Sequence, residues 1–386
     1  MSLRVLIVPD KFKGTLSARR AAESIARGWS EIRPSDLIEQ LPMADGGDGF
    51  GEVLGHLLKA ERQTCATVDS SGQARVVEWW LETGAGTAII ETAQIIGLAL
   101  LPAGMQHPLK LDTFGIGAVF RQAKQAGARR LYVGIGGSST NDGGFGLARS
   151  LGWRFRDATG TEIRTWTELD QLAHLEAPLH PLSFERLIIA MDVTNPLLGT
   201  NGASRTYGPQ KGLREEADLL KAEACLSRLA RVTETLTGQN FSLHPGAGAA
   251  GGLGFGLEAF CGGVFQPGSE IFSTLSGLDQ RIRDADLVIT AEGALDEQTL
   301  MGKGVGAIAH AAARAGKRCL CLAGSVAVEP AKVPWPDFKS YAIVPAIARL
   351  EESMACPDDC LRRLAALAAR DVHEQVIPIP VPGRCR

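Results

Sequence analysis

At 386 residues, 45% of them hydrophobic and 22% charged, the chain is too long for one small domain and too apolar to be disordered. Forty Lys and Arg against 43 Asp and Glu leave a formal charge of -3, which excludes an overall basic field for nucleic acid or an acidic membrane surface. Any anionic ligand must therefore be held locally. The eight Cys are scattered without a C-x-x-C pair, so neither a zinc site nor a redox couple is indicated, and the usage fits a reducing cytoplasm.

Leu3 to Val8 is a short apolar run with too little basic flank for a signal peptide, and it predicts a buried first strand. A polar loop, Asp10 to Thr15, leads into a helix from Ser17 to Trp29, with the Ser17 hydroxyl as N-cap. A second strand, Leu37 to Leu41, and a helix, Gly51 to Leu58, repeat the strand, loop, helix order of a parallel sheet. The texture then changes. Thr64 to Val68, Val76 to Leu81 and Thr87 to Ile90 are short strands broken by Ser71-Gly72 and Gly84-Ala85-Gly86, which predicts an antiparallel meander.

A helix over Ile116 to Ala126, strands over Arg130 to Ile135 and Leu187 to Ala190, and a long helix over Glu215 to Leu236 follow. The Gly/Ala-rich stretch Gly246 to Phe265 comes nearest to a membrane span, but Glu258 and its many glycines argue against one. From Ala285 the βαβ texture returns: strands at Leu287 to Thr290, Arg318 to Leu322 and Tyr341 to Val344, and helices at Val305 to Ala315 and Pro357 to His373. Like textures at both ends predict an α/β protein of two domains: a parallel-sheet domain from residues 1–60 and 280–386, and a mixed-sheet α/β domain, residues 61–279, inserted into it.

Ligands of open α/β sheets bind outside the carboxyl ends of strands, so the polar Gly-dense loops outrank the helices as functional candidates. Lys11 and Lys13 stand just before a helix start, which favours an anion. Asp45 and Asp48, in Ala44-Asp45-Gly46-Gly47-Asp48-Gly49, are paired hard oxygens that suit Mg²⁺, though an Asp-Gly turn is the plainer account. Gly136, Gly137, Ser138, Ser139, Thr140 and Asn141 form the densest loop, whose amides and hydroxyls could nest an anion. Asp192 ends an apolar strand, as a general base in a cleft would, and Thr194-Asn195-Pro196 follow it. Lys211 is expected in a rigid turn ahead of a helix. Glu292, Asp296, Gln298 and Lys303 gather carboxylates, an amide and a cation within a dozen residues. No Walker-type G-x-x-x-x-G-K-[ST] is present, and the G-x-G-x-x-G at Gly246, Gly248 and Gly251 lacks a strong preceding strand. A dehydrogenase built on that motif is the rival from another class.

Taken in order, Asp10-Lys11-Phe12-Lys13-Gly14-Thr15, Ala44-Asp45-Gly46-Gly47, Gly136 to Gly144, Gly208-Pro209-Gln210-Lys211-Gly212, Gly246 to Gly252, and Glu292-Gly293 with Asp296-Glu297-Gln298 make the chain resemble the bacterial type I glycerate kinases, from residue 3 to about residue 345. The resemblance implies a flavodoxin-like domain made from both chain ends and an inserted domain like the restriction-endonuclease core. It implies ATP and Mg²⁺ as cofactors and D-glycerate as acceptor, phosphorylated at the 2-hydroxyl, with the 3-hydroxyl or another small hydroxy acid as the alternative.

On that footing Asp192 is the expected base and Lys11 and Lys211 the anion-binding cations. The 136–141 loop with Lys303 would take ATP, while Lys13, Asn195 and Gln298 would take the acceptor. Asp45 and Asp48, or Glu292 and Asp296, would hold the metal. The sequence departs from the family pattern at Asp48, where Glu is common, at Phe50, where a small hydroxyl residue is common, and at Ala294, where Arg is frequent. No nucleic acid or membrane partner is expected, and oligomeric state is not given by the sequence.

Overall fold

The computed structural model describes residues 2–102, 107–300 and 304–376. The chain divides into two compact units, one formed by Met1–Ala44 with Phe272–Arg386 and the other by Asp45–Ile271. In chain order, β1 (Arg4–Pro9) and β2 (Leu37–Gln40) belong to the first unit. Then β3 (Glu61–Val68), β4 (Ala74–Glu82), β5 (Thr87–Glu91), β6 (Arg130–Gly134), β7 (Arg154–Arg156), β8 (His174–Glu176), β9 (Arg186–Ala190) and β10 (Val264–Gln266) form the second. The chain returns to the first unit with β11 (Leu287–Leu295), β12 (Arg318–Val326) and β13 (Phe338–Ala342).

In the first unit all five strands are parallel, in the order β13-β12-β11-β1-β2. This is the doubly wound flavodoxin-like order, with β11 central and β1 beside it. Val5 to Val8 are buried because β1 has a partner on each edge and helices on its faces. The helix Ala18–Ile32 starts where Ser17 accepts a hydrogen bond from the Arg20 amide, and it buries Ala21, Ala22, Ile25 and Trp29 along one stripe. Its Gly28 lies so close to the helix Pro357–Val376 that an added Cβ would fall 2.0 Å from the Arg362 carbonyl oxygen. That crossing anchors one face of the sheet. At the end of the same helix, Trp29 Nε1 donates to Asp36, which also pairs with buried Arg33.

The second unit holds a six-stranded mixed sheet, β10-β9-β6-β5-β4-β3, in which β3, β4 and β5 pair antiparallel and β5, β6, β9 and β10 pair parallel. A separate two-stranded ribbon joins β7 to β8. The divide falls after Ala44 and before Phe272, whereas the sequence texture placed it near residues 60 and 280. The early helix explains the shift. In Phe50–Leu57, Gly51 and Gly55 press against the indole of Trp80 in β4, so this helix covers the second sheet although its strand, loop, helix order mimics the first. Among the described residues no helix is long and apolar enough to cross a membrane.

Candidate active site

In the second unit, the carboxyl ends of β6 and β9 meet the turn Asp45–Gly49. Gly46 and Gly136 make this possible: the Gly136 amide donates to the Gly46 carbonyl at 3.0 Å, and a Cβ on Gly46 would fall 2.6 Å from the Ala190 carbonyl oxygen. Asp45 holds its own turn by accepting from the Gly47 amide at 2.9 Å. Asp192, half-buried just past β9, accepts from the Ser269 hydroxyl at 3.3 Å and from the backbone amides of Ser269 and Gly268. Burial first, and then the Asp45 carboxylate, raise its proton affinity above the ordinary Asp range. Asp48 is exposed beside Gly137.

The 136–142 loop differs from the open cradle expected of it. Gly136 and Gly137 are accessible, but Ser138 to Asp142 are buried, and their side chains turn inward. Ser139 Oγ lies 2.8 Å from the Ile96 carbonyl and 2.9 Å from Ser70 Oγ, and Asn141 Nδ2 donates to Ser204 Oγ. Asp142 accepts from the Thr113 amide and hydroxyl and from the amides of Gly144 and Gly146. A fully buried carboxylate is tolerated only with that many donors, and burial still raises its pKa. The hydroxyl of Ser139 and the amide nitrogen of Asn141 are thus committed to holding the loop. Thr140 Oγ1 and Asn141 Oδ1 are buried without a hydrogen-bond partner among the described residues.

Lys211 is also placed differently from the sequence expectation. It is the last residue of the helix Ala203–Lys211, which Gly212 terminates at φ 117°, and so does not sit in a turn before a helix. Its ammonium is buried and donates to Ser138 Oγ and the Thr140 carbonyl, both at 2.8 Å. Burial pushes it down to about 7, with the Asp142 carboxylate acting in the opposite direction. A lysine so committed pins the loop and is not open to a ligand as expected. Asn195, expected to meet the acceptor, donates to the Asn201 carbonyl and accepts from Tyr207 Oη at 2.6 Å.

Gly246, Gly248 and Gly251 serve packing. A 3₁₀ turn, Phe241–Leu243, precedes them where a dinucleotide motif needs a strand. Ala250, Gly251 and Gly252 have φ of 55°, 69° and 84° and kink the helix Ala249–Cys261 around the buried loop. A Cβ on Gly251 would fall 2.0 Å from the Thr140 carbonyl oxygen.

In the first unit, the ends of β1 and β11 carry carboxylates. Asp10 accepts from the Lys11 amide at 2.7 Å, and its own amide donates to the Ala291 carbonyl. Glu292 accepts from the Thr299 hydroxyl at 2.8 Å. Burial, then the neighbouring Asp10 and Asp296 carboxylates, push Glu292 up to about 7. β11 runs on to Leu295 because Ala294 and Leu295 pair with Ser325 and Val326 of β12, so part of the loop expected after Thr290 is strand. Lys11 is half-buried and Lys13 exposed. Lys303 and the side chain of Gln298 lie outside the described residues.

Two acidic residues were missed as site candidates. Asp10 closes an apolar strand, the same signal that singled out Asp192. Glu91 ends the wholly buried β5 and accepts from the Gly49 and Gly51 amides, so it caps the helix Phe50–Leu57. Among the described residues no group of three or more His, Cys, Asp or Glu side chains is arranged to hold a metal ion.

Residues 5–373 match the model of the glycerate kinase family. A glycerate kinase of Halalkalibacterium halodurans is 35% identical over 365 residues, which cover 94% of this chain and 96% of that protein. A glycerate 2-kinase of Escherichia coli K12 is 35% identical over 359 residues, 91% of this chain and 93% of that one. The crystal structure described as glycerate kinase 2 from Salmonella typhimurium LT2 superposes with a TM-score of 0.81 at 33% identity, covering 97% of this chain and 99% of that one. With strand-end carboxylates on both sheets and family similarity over nearly its whole length, the chain belongs to the glycerate kinase family, kinases that transfer a phosphoryl group to an alcohol.

Proposed function

We propose that the chain moves the γ-phosphoryl of ATP onto the 2-hydroxyl of D-glycerate, giving 2-phosphoglycerate, with Mg²⁺ as the accompanying ion. The observation that carries this reading is Asp192, held at the end of β9 by three donors and raised in proton affinity beside Asp45. A carboxylate of that kind is suited to take the proton of an attacking hydroxyl. The E. coli relative, named a glycerate 2-kinase, supports the choice of hydroxyl.

Phosphoryl transfer asks mainly for positioning and charge neutralisation. Glu292 and Asp296, with Asp10 nearby, fit Mg²⁺: they are hard oxygen donors, and although burial is the first cause of the raised Glu292, a divalent cation would relieve the repulsion from Asp10 and Asp296 that adds to it. Mg²⁺ usually takes one or two carboxylates and completes its shell with water and phosphate, so a closed protein cage is not required. Bound there, it would neutralise phosphate oxygens. Lys11 and Lys13 supply positive charge to anionic groups, and Lys211 acts through the loop it pins.

The test is incubation of the purified chain with ATP, Mg²⁺ and D-glycerate, followed by phosphorus NMR of the product. A 2-phosphoglycerate resonance is the expected outcome. A 3-phosphoglycerate resonance would overturn the regiochemistry, and unchanged ATP would overturn the donor.

A further inference from the structure

The carboxyl edge of the first unit's sheet holds a cavity of about 280 Å³, lined from the ends of β1, β11, β12 and β13 and from the helix Leu350–Ala355. We infer that this cavity receives the nucleoside of the phosphoryl donor, its flat base lying between Phe12 and the Leu350/Met354 pair. The inference rests on the ATP reading and gives that nucleotide a place.

The cavity is assembled from local features. Phe12 and Leu16 exchange backbone hydrogen bonds of 2.8 and 3.0 Å, which closes a tight turn with Gly14 at φ 79°. That turn buries the Phe12 ring against the cavity and leaves Lys13 exposed at its tip. The floor is bare backbone: a Cβ on Gly324 would fall 2.4 Å from the Gly293 carbonyl oxygen, so both strands pass without side chains. On the far wall, Leu350 and Met354 stand one helical turn apart and are 62% and 55% exposed. Two large apolar side chains beside a smooth floor are what a planar apolar ring covers.

Chemistry selects the nucleoside over the acceptor. A three-carbon hydroxy acid carries a carboxylate and two hydroxyls and has almost no apolar face, so it would leave Leu350 and Met354 uncovered. A purine presents such a face, with the polar Ser353 and Ser325 at its edge. The sheet order agrees, because β1 and β11 are where the winding reverses, the position at which open α/β sheets take ligands. Phosphates leaving the cavity would find Lys13 at the rim, and Gly293 is the direct neighbour of Glu292, one of the proposed metal ligands.

The experiment is calorimetric titration of the full chain with ATP, ADP and adenosine, paired with steady-state kinetics for ATP and D-glycerate. Ala294→Trp fills the cavity from its exposed edge, and Leu350→Asp, at a position that packs on little, places a charge on its wall. Adenosine is expected to compete with ATP, and each variant is expected to weaken ADP binding and raise KM for ATP about tenfold or more, while KM for glycerate moves less than about twofold. If Ala294→Trp does not fold, Leu350→Asp decides. ADP binding within about twofold of wild type in the folded variants, or a parallel rise in both KM values, would overturn the cavity while leaving the ATP reading intact. A wild-type chain that binds neither ATP nor ADP would remove that reading, and this inference with it.

Discussion

Lys211 Nζ lies 2.8 Å from the carbonyl oxygen of Thr140, at a point where both residues are buried in the second unit. The bond joins the end of one helix to the middle of the loop that follows β6. Lys211→Met keeps the apolar stem but leaves the Ser138 hydroxyl and the Thr140 carbonyl without their buried donor, at a cost of about 1–3 kcal/mol for each unsatisfied group. Urea unfolding near pH 10, where the cost of deprotonating the buried lysine has almost vanished, should show that loss. The pH dependence has a definite sign. A lysine near 7 when folded and near its ordinary value when unfolded binds fewer protons in the native state between those limits, so stability rises with pH from about 7 towards 10. Lys211→Met should flatten that rise, and an unchanged slope would mean that the ammonium is not buried as described.

Glu292 gives a trend of the opposite sign. Its folded pKa, pushed up to about 7, exceeds the unfolded one, so the native state holds the extra proton and stability falls as pH rises through the interval from 4.5 to about 7. Glu292→Gln removes the charge that burial, Asp10 and Asp296 oppose. It should stabilise the protein by on the order of 2–3 kcal/mol at pH 8 and leave stability unchanged near pH 4, read as the melting temperature at the two pH values. Mg²⁺ is expected to raise the melting temperature of the wild type more than that of the variant, since it satisfies the same repulsion.

Much of this architecture is legible in the sequence, for physical reasons that also mark where legibility ends. Val5 to Val8 and Ile188 to Ala190 read as buried strands because every side chain is apolar, and a carboxylate closing such a run, as Asp10 and Asp192 do, has to emerge at the strand end. Ser17 reads as a cap because hydroxyl and amide lie three residues apart. The loop at 138–142 misleads, since its polarity is spent inward on Ile96, Thr113, Ser204 and Lys211, residues dozens of positions away. Whether a hydroxyl faces water or a distant carbonyl is fixed by tertiary packing, which no local spacing encodes. The helix Phe50–Leu57 misleads for the same reason: its allegiance is set by Trp80.

Gly251 and Gly238 separate two uses of glycine. Both have positive φ, 69° and 72°, but a Cβ at 251 would meet the Thr140 carbonyl at 2.0 Å, whereas nothing lies within 4 Å at 238, the C-cap of the helix Glu216–Thr237. Gly238→Ala should cost about 1–2 kcal/mol, the left-handed backbone penalty alone. Gly251→Ala adds displacement of the buried loop and should cost more than about 3 kcal/mol or abolish folding. Equal melting temperatures for the two variants would show that the kinked helix does not clasp that loop.

Asp192→Asn tests the proposed base directly. The amide keeps the size of the side chain and can still accept a hydrogen bond from Ser269, so the melting temperature should stay near that of the wild type. It cannot take a proton. Turnover should therefore fall about 10²–10⁴-fold, the usual contribution of a positioned general base, with little change in KM for either substrate. In the wild type, the raised proton affinity of Asp192 predicts that kcat falls on the acid side at a higher pH than an ordinary Asp would give, because a protonated carboxyl is inactive as a base. Asp45→Asn removes the neighbouring charge that contributes to the shift, so the acid limb should move to lower pH while the Asp192→Asn variant shows no such limb. An Asp192→Asn enzyme that turns over at the wild-type rate would assign the proton to another group, and an acid limb that stays in place in Asp45→Asn would show that the two carboxylates do not interact.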